Sequence, residues 1–373
     1  MMRLIQLCLL IVLSTGLSTM TMAKGTSKPP IDVLYDLMGS EFIYSPEQQG
    51  WISKIHSSKL PFDELIYSWN VHLPEGEGFR LYLKVYYNKL NASDWLYAGY
   101  WGTVNLQSNR EKPQFKEGIL DLDQLLLKRK AVAFQFKTVS DGEKPLTVQP
   151  SLHVLFTNNH PTPAEFRKHK TPQVPVTPHP ETILDLPLRK QDNAQGQPIP
   201  DRCQSAALAT AMEYFGKPVT LDEIIPLNTD PEYNSYGIWP RTIQAAIDLG
   251  FEAYIDRFRN WDAVRRAVQK NKVLLCSITM PRNDSYISPP YAQMEGHIVA
   301  LNGVTDDGRV IITDSAMRDE GARVQWKIED FQKIWMRNKG GVAMVICPPK
   351  DAVMKTVSEL PPFPKRDYKT IKK

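Results

Sequence analysis

Six prolines fall between His160 and Pro180, at positions 161, 163, 172, 175, 178 and 180, a density that predicts an extended linker over about 159–182. The linker separates two stretches with different rhythms. With 373 residues and 42% hydrophobic content the chain can bury two cores, because single cores stop growing well below this length. His169 and His179 lie inside the linker among lysines. Their spacing is irregular and no cysteine accompanies them, so a solvated segment is expected there rather than a metal site.

Residues 38–158 read as an all-β domain. Runs rich in aromatic and β-branched residues, such as Phe79–Tyr87, Trp95–Val104, Ala131–Val139 and Thr147–Phe156, are separated by turn signals including Glu75-Gly76-Glu77-Gly78 and Asp141-Gly142. Many short strands with no helix between them predict an antiparallel β-sandwich. Trp95, Tyr97, Tyr100 and Trp101 form an aromatic cluster whose first reading is core, with a carbohydrate-stacking platform as the alternative.

Arg3, the apolar stretch Leu4–Leu17 and Thr21-Met22-Ala23 have the layout of a secretory signal, so residues 1–23 are expected to be removed. The expected location is outside the cell, in the periplasm or at the cell envelope. The apolar run is interrupted by Gln6, Ser14, Thr15 and Gly16 and is shorter than the roughly 20 residues of a spanning helix, so no transmembrane segment is expected after removal. Residues 348–373, rich in proline and lysine, read as an exposed tail. The net charge of +4 comes from 45 basic and 41 acidic residues spread along the chain, without the basic face that nucleic acid requires as a partner.

After the signal, three cysteines remain: Cys203, Cys276 and Cys347. An odd number in an oxidising compartment leaves at least one thiol outside any intramolecular disulfide. Cys276 and Cys347 lie in the strand-like runs Val273–Met280 and Val342–Cys347, as buried small hydrophobes or as a pair. Cys203 has a different setting. Asp201 is a candidate cap for a helix over about 202–215, with Ala206, Leu208, Ala209, Met212 and Phe215 apolar and Gly216 as the stop, which puts Cys203 in the first turn. Free N–H groups and the positive end of the helix dipole there favour a thiolate.

Further helix starts follow at the capping box Thr220–Glu223, at Pro240 and at Asn260. Strands are expected at Val273–Met280, His297–Val304, Arg309–Asp314 and Val342–Cys347. Asp306-Asp307-Gly308 is a hairpin turn that makes the middle two antiparallel neighbours. His297 and Asp314 thereby come to the same end of the hairpin, as an imidazole and the carboxylate that orients it. Sequence spacing does not bring Cys203 to that pair.

Residues from about Ile183 to Ile346 resemble the bacterial papain-like peptidases related to the bacteriocin-processing, double-glycine leader peptidases, in a stand-alone exported form. The similarity is carried by Leu184-Asp-Leu-Pro-Leu-Arg-Lys-Gln191, Cys203-Gln-Ser-Ala-Ala-Leu-Ala-Thr-Ala-Met-Glu-Tyr-Phe-Gly216, Gly237-Ile-Trp-Pro240, Gly296-His-Ile-Val-Ala-Leu-Asn-Gly303 and Ile312-Thr-Asp-Ser-Ala316. Leu65-Ile-Tyr-Ser-Trp-Asn70 is similar to the region that precedes the peptidase domain in some exported members. The implied fold is α+β: an N-terminal antiparallel β-sandwich, then over 183–347 a papain-like domain of helices packed on an antiparallel sheet.

The resemblance implies Cys203 as nucleophile, His297 as general base and acid, Asp314 as orienting carboxylate and Gln191 as side-chain donor of the oxyanion hole. Read without it, Gln191 is a loop glutamine. Tyr236, Trp239 and Gly296 are candidates for substrate binding, with Tyr286 as a further wall residue on the polar segment before His297. The family usually carries Gly or Ser and then Pro after the nucleophile. Here Gln204-Ser205-Ala206 stands, which is expected to reshape the pocket floor and leave the nucleophile in place. The implied activity is hydrolysis of peptide or amide bonds in a peptide or protein substrate, with no cofactor. A cell-wall amidase or transpeptidase, or a non-catalytic surface binding protein working through its sandwich, are the alternatives.

Overall fold

The computed structural model describes residues 28–102, 114–121, 123–169, 181–230, 232, 235–290 and 294–349. The expected signal, residues 170–180 of the expected linker and the tail beyond residue 349 lie outside the described residues.

Among the described residues, the N-terminal half forms one antiparallel sheet of eleven strands. In chain order these are β1 (Ile31–Leu37), β2 (Phe42–Ser45), β3 (Gly50–Ser53), β4 (His56–Asn70), β5 (Gly78–Asn88) and β6 (Asn91–Ala92), followed by β7 (Leu96–Gly102), β8 (Gln114–Phe115), β9 (Gly118–Asp121), β10 (Gln124–Ser140) and β11 (Ser151–Asn158). The expected sandwich is thus built from a continuous sheet. The long strand β10 pairs with β3, β4, β5 and β9, and its register against β4 shifts twice between Leu126 and Ala133. Such irregularities bend a strand and let one sheet wrap a core. That core is aromatic, with Phe62, Tyr67, Trp69, Phe79, Phe134, Phe136 and Phe156 buried. Tyr100 and Trp101 are also buried, Trp101 within this core, whereas Trp95 and Tyr97 are half-buried.

The expected linker opens with a helix, α1 (Pro163–Lys168). Thr162 and Glu165 form a capping box, and Pro163 occupies the first helical position, where its fixed φ favours a helix start.

In the C-terminal half, helices α2 (Cys203–Tyr214), α3 (Leu221–Asn228), α4 (Trp239–Asp248) and α5 (Trp261–Gln269) pack with an antiparallel sheet of six strands. A two-residue pair, β12 (Thr229–Asp230) and β13 (Ser235–Tyr236), follows α3. The main sheet contains β14 (Glu252–Arg257), β15 (Val273–Met280), β16 (Met294–Val304), β17 (Arg309–Thr313), β18 (Val324–Lys327) and β19 (Val342–Cys347), in the order β14-β19-β15-β16-β17-β18. The expected strands are present. Strands β14 and β18, which carry Glu252 and Asp256, and Gln325 and Lys327, at alternating positions, were missed. A short helix, α6 (Ile328–Phe331), and a π-helical turn over Gln332–Arg337 bury Phe331 and Trp335 beside the sheet. No helix among the described residues is long and apolar enough to cross a membrane.

The two halves share a packed interface. Helix α4 lies against β4, and Ile66 and Leu155 of the N-terminal sheet belong to the C-terminal core. Gln244 of α4 pairs with Val71 as a strand would, accepting its N–H at 3.1 Å and donating to its carbonyl at 2.6 Å. Arg257 forms a buried ion pair with Glu64, and Arg259 a bidentate one with Asp32 at 2.6 and 3.0 Å.

Candidate active site

Helix α2 is the element around which the cleft forms. Four alanines, at 206, 207, 209 and 211, give it high intrinsic propensity and let it pack closely against β16 and α3. Leu208 and Met212 are fully buried and contribute about 2 kcal/mol each. The helix ends in a Schellman turn, with the N–H of Lys217 bonded to the carbonyl of Met212.

Its first residue is Cys203. The expected cap does not form: Asp201 takes a left-handed backbone (φ 59) and lines the cleft, while Arg202 occupies the cap position and turns its guanidinium to the carbonyls of Pro200 and Asp201. Gln191 caps from outside the helix. Its Oε1 accepts the Arg202 N–H at 2.8 Å, and its Nε2 donates to Ser315 Oγ at 3.2 Å. A compact turn holds it there: Asn193 Oδ1 accepts from the N–H groups of Gln195 and Gln197, and the Ile199 N–H returns to the Gln191 carbonyl at 2.6 Å. The preceding segment is anchored to β16, where Leu184 exchanges hydrogen bonds with Asn302, and a Cβ on Gly303 would stand 2.3 Å from the Thr182 carbonyl oxygen.

The other side of the cleft comes from the β16–β17 hairpin. Ala300 faces Thr313 and Leu301 faces Ile312, which puts His297 one diagonal step from Asp314 on the same face. His297 Nε2 meets Asp314 Oδ1 at 2.7 Å. Asp314 is fully buried, and the same oxygen also accepts the N–H of Ala316 at 2.8 Å. Its own N–H donates to the carbonyl of Gly321, where a Cβ would come within 1.9 Å of the Asp314 carbonyl oxygen. That close approach restricts the position to glycine. The aspartate is therefore fixed at its N–H, its carbonyl contact and its carboxylate.

Cys203 lines the same cleft, near enough to His297 for the sulfur to favour the ring's charged form. With Nε2 engaged by Asp314, Nδ1 is the nitrogen left for the sulfur. Burial alone would push the imidazole down, but the hydrogen bond to Asp314, the nearby sulfur of Cys203 and the charges of both outweigh it and hold it up at about 10. At neutral pH the ring is an imidazolium between two groups that can carry negative charge.

Cys203, His297, Gln191 and Gly296 line one cleft with Pro198, Ile199, Pro200, Asp201, Ser315, Ala316 and Arg318. Trp239 and Tyr286 are not among these lining residues. Trp239 opens α4 at the interface of the two halves, where its N–H donates to Asp123 at 2.9 Å. Its side chain is half-buried against the core of the C-terminal half. Tyr286 bonds to Asp284 and sits under Lys333, outside the cleft lining. Tyr236 belongs to β13, and its side chain is outside the described residues. Gln204 and Ser205 do not form a pocket floor. Gln204 turns inward to the Ile238 carbonyl and Thr242, and Ser205 to Asn228 at 3.1 Å. Helical geometry sends them to the buried face, away from Cys203.

Ser315 and Arg318 line the cleft without having been singled out from sequence. For Ser315 the available signal was its place directly after Asp314. Arg318 combines a left-handed φ of 52 with a bidentate pair to Asp192 at the rim. Cys276 and Cys347 are buried and not joined in a disulfide. Burial pushes the Cys276 thiol well above its ordinary range. Among the described residues no three His, Cys, Asp or Glu side chains are grouped to hold a metal ion.

Residues 183–343 match the Peptidase_C39 like family, and residues 42–136 match the Peptidase C39 N-terminal domain. Among solved structures, the peptidase domain of Streptococcus ComA, a bi-functional ABC transporter involved in a quorum-sensing pathway, is similar at 18% identity and a TM-score of 0.29. That similarity covers 41% of this chain and 95% of the ComA chain. No curated protein sequence matches the chain.

Proposed function

We propose that this chain, whose residues 183–343 match the Peptidase_C39 like family, is an exported cysteine peptidase that cleaves peptide bonds through Cys203, His297 and Asp314. One observation carries the reading: a buried carboxylate holds one nitrogen of His297, and the ring lines one cleft with the cysteine that starts α2. The sequence layout of residues 1–23 supports export, with the cell envelope as the place of action.

In this reading the Cys203 thiolate attacks the scissile carbonyl, forming a C–S bond while the carbonyl electron pair moves to oxygen. Gln191 Nε2 and the main-chain N–H of Cys203, which has no intrahelical partner at this position, receive the oxyanion. The His297 imidazolium gives its proton to the leaving amine. Water then attacks the thioester, the imidazole takes its proton, and the acid product departs as the thiolate is restored. Asp314 keeps the ring oriented and stabilises its charged form.

The test is alkylation by iodoacetamide across pH. Wild-type Cys203 is expected to be alkylated at pH 7 about tenfold or more faster than Cys203 in His297→Ala, since a neighbouring imidazolium favours the thiolate. An alkylation rate indifferent to His297→Ala across pH overturns the reading. Cleavage of a mixed peptide library, abolished in Cys203→Ser, is the accompanying activity assay.

A further inference from the structure

We infer that Ser315 is a positioning residue for Gln191, fixing its carboxamide so that one N–H is held toward the forming oxyanion. This rests on the peptidase reading above and adds a residue to it. The orientation of the Gln191 amide follows from chemistry. The main-chain N–H of Arg202 can only donate, so the atom facing it at 2.8 Å is Oε1, and Nε2 with its two hydrogens lies on the other side. One of those hydrogens goes to Ser315 Oγ at 3.2 Å. The second is left for a ligand in the cleft that Gln191, Ser315, Cys203 and His297 all line.

Two anchors are needed for this. Held only at Oε1, a carboxamide still turns about its terminal torsion, which is broad and weakly restrained. A second bond, from Nε2, fixes the plane. Ser315 is suited to supply it because it is nearly buried and begins a helical turn capped by Asp314, whose Oδ1 holds both the Ala316 N–H and His297. Consecutive residues thus set the two donors that matter most: Asp314 orients the imidazolium and Ser315 the amide.

The experiment uses the full chain and a panel of N-acetyl dipeptide aldehydes ending in glycine, alanine or leucine. The Cys203 thiolate adds to the aldehyde carbon, the C=O pair moves to oxygen, and the imidazolium supplies the proton of the resulting hemithioacetal. This adduct uses the oxyanion pocket, whereas iodoacetamide alkylation is a displacement at carbon that builds no oxyanion and reads only the thiolate and imidazolium. Gln191→Ala is expected to weaken aldehyde binding by about 100-fold. Ser315→Ala is expected to weaken it by about tenfold, the scale of one neutral hydrogen bond, with alkylation rates within about twofold of wild type. Ser315→Thr, which keeps the hydroxyl, should restore most of the loss, and Gln191→Ala/Ser315→Ala should bind no more weakly than Gln191→Ala alone. Ser315→Gly serves where alanine disturbs folding.

Aldehyde affinity unchanged in Ser315→Ala, or losses that multiply in the double variant, would overturn the assignment of Ser315 and leave the peptidase reading standing. A wild-type protein that forms no adduct on Cys203 with any member of the panel overturns both.

Discussion

Gln191 Oε1 accepts the main-chain N–H of Arg202, one residue before the cysteine that begins α2. The bond satisfies a donor that the helix itself cannot, and it brings the amide beside the sulfur. A capping interaction and a candidate catalytic donor are thus the same side chain, so the strength of the cap bears directly on the geometry of the cleft. The residues on both sides of this contact set the expectations that follow.

Asp314→Asn should leave the Ala316 N–H with an acceptor while removing the charge that stabilises the imidazolium. Second-order alkylation of Cys203 at pH 7 is expected to fall by about tenfold or more, the scale of one charge-assisted hydrogen bond, and to approach the wild-type rate by pH 10. An unchanged rate at pH 7 separates Asp314 from the chemistry.

The imidazole of His297 is held at about 10 in the fold against an ordinary 6.5, so its protonated form stabilises the folded protein. That contribution is fully present below about 6.5 and is lost as pH rises through about 10. The difference in melting temperature between wild type and His297→Ala should therefore be larger at pH 6 than at pH 10. A constant difference across that window contradicts it.

Asp256, on β14, behaves in the opposite sense. Burial raises its carboxyl from 3.8 to about 6, with Asp32 adding to the shift, while the Arg257 N–H and Lys272 oppose it. Its charge destabilises the fold fully above about 6, and the penalty disappears as pH falls below 3.8. Asp256→Asn keeps the acceptor for the Arg257 N–H and is expected to add on the order of 2 kcal/mol at pH 7.5, with no gain near pH 4. Urea unfolding at the two values decides it.

Gln244→Leu removes the side chain that pairs with both polar groups of Val71 in a fully buried setting. Leaving the two groups unsatisfied should cost about 2–4 kcal/mol in urea unfolding. A cost under about 0.5 kcal/mol would mean that the interface closes around the change.

The hairpin half of the site was legible in the sequence because Asp306-Asp307-Gly308 sets a turn, and a turn sets which residues share a face. The start of α2 was placed to within a residue by taking Asp201 as its cap, a role Asp201 does not fill, while Gly216 marked its end. Gln191 was not. Its placement depends on a seven-residue turn and on a main-chain N–H of another segment, neither of which has a periodic signature, and it was named only through resemblance. Trp239 was misplaced for a related reason: an aromatic residue at a helix start signals contact with something, and the hydrophobic pattern does not say whether that is a ligand or the protein's own core. The continuous N-terminal sheet was read as separate short strands because a bent strand interrupts its own alternation, as β10 does between Leu126 and Ala133.

The bonds that join the two halves connect residues 173, 193 and 227 positions apart. During synthesis the β-rich half leaves the ribosome with Asp32, Glu64 and Val71 still lacking the groups that complete them, and it stays incomplete until residues 244–259 have been made. Contacts of such separation form late and slowly. Docking of the two halves is therefore expected to come late, once α4 and β14 have been made and can reach strands completed long before them.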